Sequence, residues 1–280
     1  MCARLEAEDP RLSRKKGLDS LYRRYNRRAY VHPDPLEFLY RYESPADQEI
    51  AGLVAACLAY GRVAQILASV ARVLDALNAA GGSPRACLER VKEPELHRIF
   101  GGFKHRFTTG AEVAALLAGV KRAIAEHGSL ESLFAAGIES NDETILPALA
   151  QFVERMRVYA GGRAACPSLL SSPADGSACK RLNLFLRWMA RRDAVDPGPW
   201  SRVPASMLVV PLDTHLFRIA GKLGLTARRQ ADLKTAMEIT QGFARIRPKD
   251  PVRYDFCLTR LGINPACRDA DLECILAGSP

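Results

Sequence analysis

The stretch Val63-Ala64-Gln65-Ile66-Leu67-Ala68-Ser69-Val70-Ala71-Arg72-Val73-Leu74-Asp75-Ala76-Leu77 decides the fold class. Val63, Ile66, Leu67, Val70, Leu74 and Leu77 recur at three- and four-residue steps, which lines them along one buried face of an α-helix. The same spacing returns in Val113, Leu116, Leu117, Val120 and Ile124, and again in Leu182, Phe185, Leu186 and Met189. Sustained two-residue alternation, the mark of a half-buried strand, is missing. The apolar run Met207-Leu208-Val209-Val210 has strand-like residues but stands alone between prolines. The pattern predicts an all-α protein.

Working outward, Ser44-Pro45-Ala46-Asp47 and Ser83-Pro84 each place a capping residue before a proline suited to the first helical position. Gly81-Gly82, Gly101-Gly102 and Gly161-Gly162 close helical patterns. Two segments break the rhythm, one from Ala164 to Gly176 with Pro167 and Pro173, the other from Asp193 to Pro211 with four prolines around Trp200. Loops of that length inside a compact domain are usually functional or disordered. Between them lies a basic helix, expected over Ser177 to Arg192, carrying Lys180, Arg181, Arg187, Arg191 and Arg192. The stretch from Arg11 to Arg28 is basic as well.

With 280 residues, 48% hydrophobic and 25% charged, the chain can bury a core without metal or disulfide staples and is not mainly disordered. The longest apolar stretch, Ile50 to Tyr60, is too short to cross a bilayer. Met1 to Glu6 lacks the apolar core of a signal peptide. A soluble cytoplasmic protein is expected. Forty Lys and Arg against 31 Asp and Glu give a net charge of +9, a surplus suited to a polyanionic partner. The cysteines are scattered, so reduced thiols are the default reading.

Two strings carry the chemistry. Gly176-Ser177-Ala178-Cys179-Lys180-Arg181-Leu182-Asn183 puts a lysine in the opening turn of a helix, directly after a Gly/Ser turn. Pro211-Leu212-Asp213-Thr214-His215-Leu216-Phe217-Arg218 puts an aspartate before a helix with apolar positions Leu216, Ile219, Ala220 and Leu223. These strings resemble the active-site segments of the helix-hairpin-helix-GPD superfamily of DNA glycosylases, to which endonuclease III belongs. From about Tyr22 to Gly262 the chain further resembles an uncharacterised bacterial family related to those enzymes, through Gln48-Glu49-Ile50-Ala51-Gly52, Ala59-Tyr60-Gly61-Arg62 and Pro251-Val252-Arg253-Tyr254-Asp255-Phe256. Ala178 stands where the superfamily hairpin has its second glycine, so the hairpin is a degraded one. The long spacing from Lys180 to Asp213 is similar to that of the archaeal 8-oxoguanine glycosylase branch.

The resemblance implies a two-lobed helical fold: a barrel lobe over 44–192 ending in the hairpin and the lysine helix, and a second lobe joining 1–43 to 193–280 and presenting the aspartate. It implies a glycosylase, with lyase activity, that removes a damaged base, an oxidised purine, from double-stranded DNA. Lys180 and Asp213 would be catalytic, and Arg62, Gly176, Ser177, Arg181 and His215 would face the DNA. A carboxylate steadies the positive charge that develops at the sugar's anomeric carbon, and a neutral lysine amine can attack that carbon to form a Schiff base. The target nucleotide must be flipped from the duplex into a pocket. No cofactor and no metal is expected, and a monomer suffices. The rival reading is a non-catalytic DNA-binding protein on the same scaffold.

Several residues admit two readings. Lys180 alone is a solvated helix residue and Asp213 alone a helix cap. His215 can order a helix start, and Cys179 can be core or nucleophile. Trp200 is either core or a platform for a flipped base. Tyr254 and Asp255 form either a packing pair or a base-reading pair. Cys257, Cys267 and Cys274 cluster late, but their spacing suits neither an iron–sulfur loop nor a zinc site.

Overall fold

The computed structural model describes residues 10–263. Among them are twelve α-helices and one two-residue antiparallel pair, Lys104–His105 with Thr108–Thr109. The protein is all-α. In chain order the helices are α1 (Pro10–Tyr25), α2 (Pro45–Cys57), α3 (Val63–Gly81), α4 (Pro84–Arg90), α5 (Glu93–Phe100), α6 (Gly110–His127), α7 (Leu130–Ala135), α8 (Leu146–Tyr159), α9 (Lys180–Ala190), α10 (Thr214–Lys222), α11 (Leu233–Ala244) and α12 (Asp255–Ile263).

Local chemistry sets the ends of these helices. The Ser83 side chain accepts from the Ala86 amide, and proline fills the first position of both α2 and α4. Thr109 and Glu112 form a reciprocal capping box at the start of α6. The chain leaves α3 through Gly82 at φ +87, a conformation open to glycine at little cost. By length and a mean hydropathy of 1.3, α3 could cross a bilayer, which Ile50–Tyr60 could not. Its stripe of Ile66, Val70, Leu74 and Leu77 is nevertheless buried in the core, with Arg72 and Asp75 exposed on the other side. Met207–Val210 makes no strand: a short 3-10 turn over Ala205–Met207 leads into extended chain.

One continuous core runs from Leu18 to Leu261. Helix α2 is buried along most of its length and packs closely against α9 at Gly52. A Cβ there would come within 2.8 Å of the Met189 methyl and 3.4 Å of the Phe185 ring. Helix α12 packs against both α1 and α10. These contacts bring the start of α9 alongside the start of α10, across the proline-rich segment that joins them.

Candidate active site

Lys180 opens α9 and Asp213 immediately precedes α10, and the lysine Nζ lies 3.8 Å from the aspartate Oδ2. The other carboxylate oxygen, Oδ1, accepts from the Leu216 amide at 2.8 Å and so caps α10. One side chain thus anchors a helix with one oxygen and offers the second to the lysine. The Lys180 side chain is 40% exposed and that of Asp213 is 15% exposed, so the pair opens to solvent.

The turn before Lys180 is a strained one. Gly176 is left-handed at φ +77 and exposed, the Ser177 hydroxyl accepts from the Cys179 amide at 3.1 Å, and Cys179 itself sits at φ +48. A non-glycine residue held there is uncommon. The Cys179 thiol donates to the Ser171 carbonyl at 3.4 Å and is buried, and burial pushes its pKa up. A buried, protonated thiol is a poor nucleophile, which removes that candidate. The link from α8 to α9 is no tight hairpin: it contains 3-10 turns at Arg163–Ala165 and Pro173–Asp175, and Asp175 is tied to Arg157 at 2.8 Å.

The pair stands in a cleft of about 330 Å³, a size suited to a small organic group. Gly61, Ile66 and Leu184 form part of its wall, with His215, Arg187 and Asp255 also lining it. His215 packs on α12, where a Cβ at Gly262 would lie 2.4 Å from its Nδ1. Arg62, beside Gly61, is exposed at the N-cap of α3.

On the floor, Arg187 donates to Asp255 and to Asp196, and all three side chains are nearly fully buried. Burial pushes the Asp255 carboxyl up to about 6; the Arg187 guanidinium opposes this and the Asp213 charge adds to it. Asp255 Oδ1 and Arg187 Nη2 are buried without hydrogen-bond partners among the described residues. Unpaired polar atoms beneath a cleft are costly in a purely structural role.

Other candidates are placed elsewhere. Trp200 is 5% exposed, packs edge-on to Phe185 and against Phe134, and donates from Nε1 to Glu49 Oε2 at 3.2 Å. Glu49 is buried on α2 and also accepts from the Leu130 and Glu131 amides, so it caps α7 and holds the tryptophan together. Trp200 is therefore core, not a platform for a flipped base. Tyr254 is also core: its hydroxyl donates to Asp19 Oδ1 at 2.7 Å and accepts from Arg247 Nε at 3.2 Å, away from the cleft. Arg181 spends its guanidinium on the carbonyls of Cys57 and Ser168, each at 2.7 Å, and stacks over Tyr60. It ties α9 to α2 through the first of these carbonyls and to the segment before α9 through the second.

The basic character of α9 is likewise turned inward. Arg191 pairs with Asp193, Asp196 and Asp250, and Arg187 with Asp196 and Asp255. The carboxylates hold both guanidiniums firmly charged, shifting their pKa values upward against the cost of burial. Only Arg192 of that expected basic rim is exposed without an ion-pair partner among the described residues. Cys257 is fully buried, and Cys267 and Cys274 lie outside the described residues. Among the described residues no group of three or more His, Cys, Asp and Glu side chains could hold a metal ion.

A family model described as a protein of unknown function (DUF2400) matches residues 34–264, which includes every residue lining the cleft except Pro33. No curated protein and no solved structure matches the chain significantly.

Proposed function

The chain belongs to the DUF2400 family, whose description assigns no activity, and from its cleft we propose that it is a DNA glycosylase with associated lyase activity. Its substrate would be double-stranded DNA containing a damaged base, with an oxidised purine the preferred class. In this reading the protein is a two-lobed glycosylase-like monomer acting in the cytoplasm on the nucleoid.

The observation that carries the reading is the Lys180–Asp213 pair at 3.8 Å, open to solvent in a cleft sized for a base. Both groups can reach one reacting carbon, as the chemistry requires. Asp213 Oδ2 accepts a proton from the lysine ammonium, and the freed amine attacks the anomeric carbon of the flipped nucleotide. The bond to the base breaks, its electron pair leaves with the base, and the proton held by Asp213 passes to it. As its proton passes to the departing base, Asp213 becomes a carboxylate again and steadies the positive charge at that carbon. The lysine nitrogen, now bonded to that carbon, gives a proton to the sugar ring oxygen. The bond from that oxygen to the carbon breaks, leaving a hydroxyl, and the nitrogen lone pair forms the C=N bond of the Schiff base. Asp255 and Arg187 lie beneath the cleft and hold its floor.

Borohydride trapping on a panel of lesion-bearing duplexes tests this. The parent protein should form a covalent adduct with at least one lesion, and Lys180→Gln should form none. Asp213→Asn keeps an oxygen for the α10 cap and should slow base release by roughly 3–4 kcal/mol of barrier. A parent that binds these duplexes yet releases no base would be the non-catalytic DNA-binding protein instead.

A further inference from the structure

The exposed side of α10 leads away from the cleft. Thr214, Arg218 and Lys222 are exposed and follow one another at four-residue steps, so they share a helix face. From first to last they cover about 12 Å at 1.5 Å per residue. Arg218 and Lys222 have no hydrogen-bond or ion-pair partner among the described residues.

Beyond Lys222 the chain turns through Gly224 at φ +64, closed by the Leu225 amide on the Ala220 carbonyl at 2.9 Å. At this turn opens a second cavity, about 630 Å³, bounded by α1 and α11. Arg14, Lys15 and Arg245 line it, likewise unpaired among the described residues. They face one carboxylate, Glu238, which is occupied by the Thr226 hydroxyl at 2.8 Å. A row of cations therefore begins at the reactive pair and ends in a basic cavity at the other end of the same helix.

We propose that this row is the track for the phosphodiester backbone of the DNA strand flanking the cleft. Arg218 and Lys222 contact phosphates in turn, and Arg14, Lys15 and Arg245 hold the phosphate at the far end. The proposal rests on the DNA reading above and specifies which surface carries it. The linear spacing favours a strand over a globular acidic partner, because the row advances by about 6 Å per four-residue step, which lets each side chain meet a different phosphate. It also gives the chain's surplus charge a destination, since the arginines late in α9 are neutralised internally. Thr214, at the cleft end of the row, adds a hydroxyl donor for the first phosphate.

The test is a salt titration of binding to a duplex bearing a tetrahydrofuran abasic analogue. Arg218→Gln/Lys222→Gln should reduce the slope of log affinity against log salt by about two, at roughly 0.9 per phosphate contact. Arg14→Gln/Lys15→Gln/Arg245→Gln should reduce it by about one. The charge-keeping pair Arg218→Lys/Lys222→Arg should leave it near the parent value, which separates charge from damage to the fold. An unchanged slope in the first variant, with the parent steep, overturns the track and leaves the glycosylase reading standing. A reduced slope from a parent that never traps covalently upholds the track and sinks the glycosylase reading. A parent with no salt dependence overturns the track outright.

Discussion

Helix α9 carries two kinds of cation–carboxylate contact, one at each end, and they differ in what surrounds them. At its start the Lys180 ammonium meets Asp213 across 3.8 Å with water at hand. Towards its end Arg187 and Arg191 are locked among Asp196, Asp250 and Asp255 with almost no exposure. A solvent-open pair gains little from its attraction, so either partner can give it up to a substrate. A buried lattice cannot be taken apart so easily, because each freed charge would be left dry. Cation–carboxylate contacts therefore make an exchangeable, solvent-open pair at one end and a clamp at the other. The clamp holds the proline-rich segment before α10, and so holds Asp213 in reach of Lys180.

The sharpest way to break this comparison is to remove the centre of the lattice. Asp196 is fully buried and shared by Arg187 and Arg191, so Asp196→Ala should lower stability by about 3–5 kcal/mol. Urea unfolding would measure it, and a loss below about 1 kcal/mol would mean the lattice does not clamp.

Asp255 gives a somewhat smaller and pH-dependent effect. Its carboxyl titrates near 6 in the fold against 3.8 for a free aspartate, so between those values the folded protein binds the proton that the unfolded chain has released. Raising pH through that window therefore costs stability, up to about 3 kcal/mol for a shift of roughly two units, and the loss is complete above the folded value. Asp255→Asn should abolish this downward step between pH 4 and 6.5. Other carboxylates, such as Asp193 and Glu112, are shifted down and act in the opposite sense, so the measurement is the difference between variant and parent curves. Parallel curves would show that Asp255 carries its charge at no cost.

Much of this was legible in the sequence where the determinants are local. The three-four spacing over Val63–Leu77 marks α3, and Ser83-Pro84 marks the start of α4, because both depend on neighbours within a turn or two. Lys180 and Asp213 were found as residues that begin helices after distinctive turns. The environment of a long side chain is another matter. Trp200 sits in a proline-rich segment that suggests a loop surface, but Glu49 and Phe134, distant in sequence, enclose it. The arginines of α9 had the look of a DNA rim because helical spacing gives a face and not what meets it. Asp250 and Asp255 arrive from the far end of the chain to neutralise them. A charged residue beside an apolar run, as Glu49 is beside Ile50, was the available sign of buried donors. Arg218 and Lys222, four residues apart on α10, carry a second local signal, an exposed basic helix face.

The smallest stability effect belongs to the solvent-open end, where the proposed chemistry would take place. Lys180→Gln removes an ion pair whose lysine is 40% exposed, so unfolding free energy should change by less than about 1 kcal/mol. Asp213→Ala should cost somewhat more, about 1 kcal/mol, because it also strips the acceptor that the Leu216 amide uses at the start of α10. Asp213→Asn should recover most of that cost, since an amide oxygen can still accept. The three variants measured together by urea unfolding separate the two oxygens of Asp213: the alanine change reports the cap, and the asparagine and glutamine changes report the charge. If Lys180→Gln destabilised the protein as strongly as Asp196→Ala, the two ends of α9 would be parts of one structural lattice. The open pair would then have no freedom to exchange its partner for a substrate, and the contrast on which the functional reading stands would be lost.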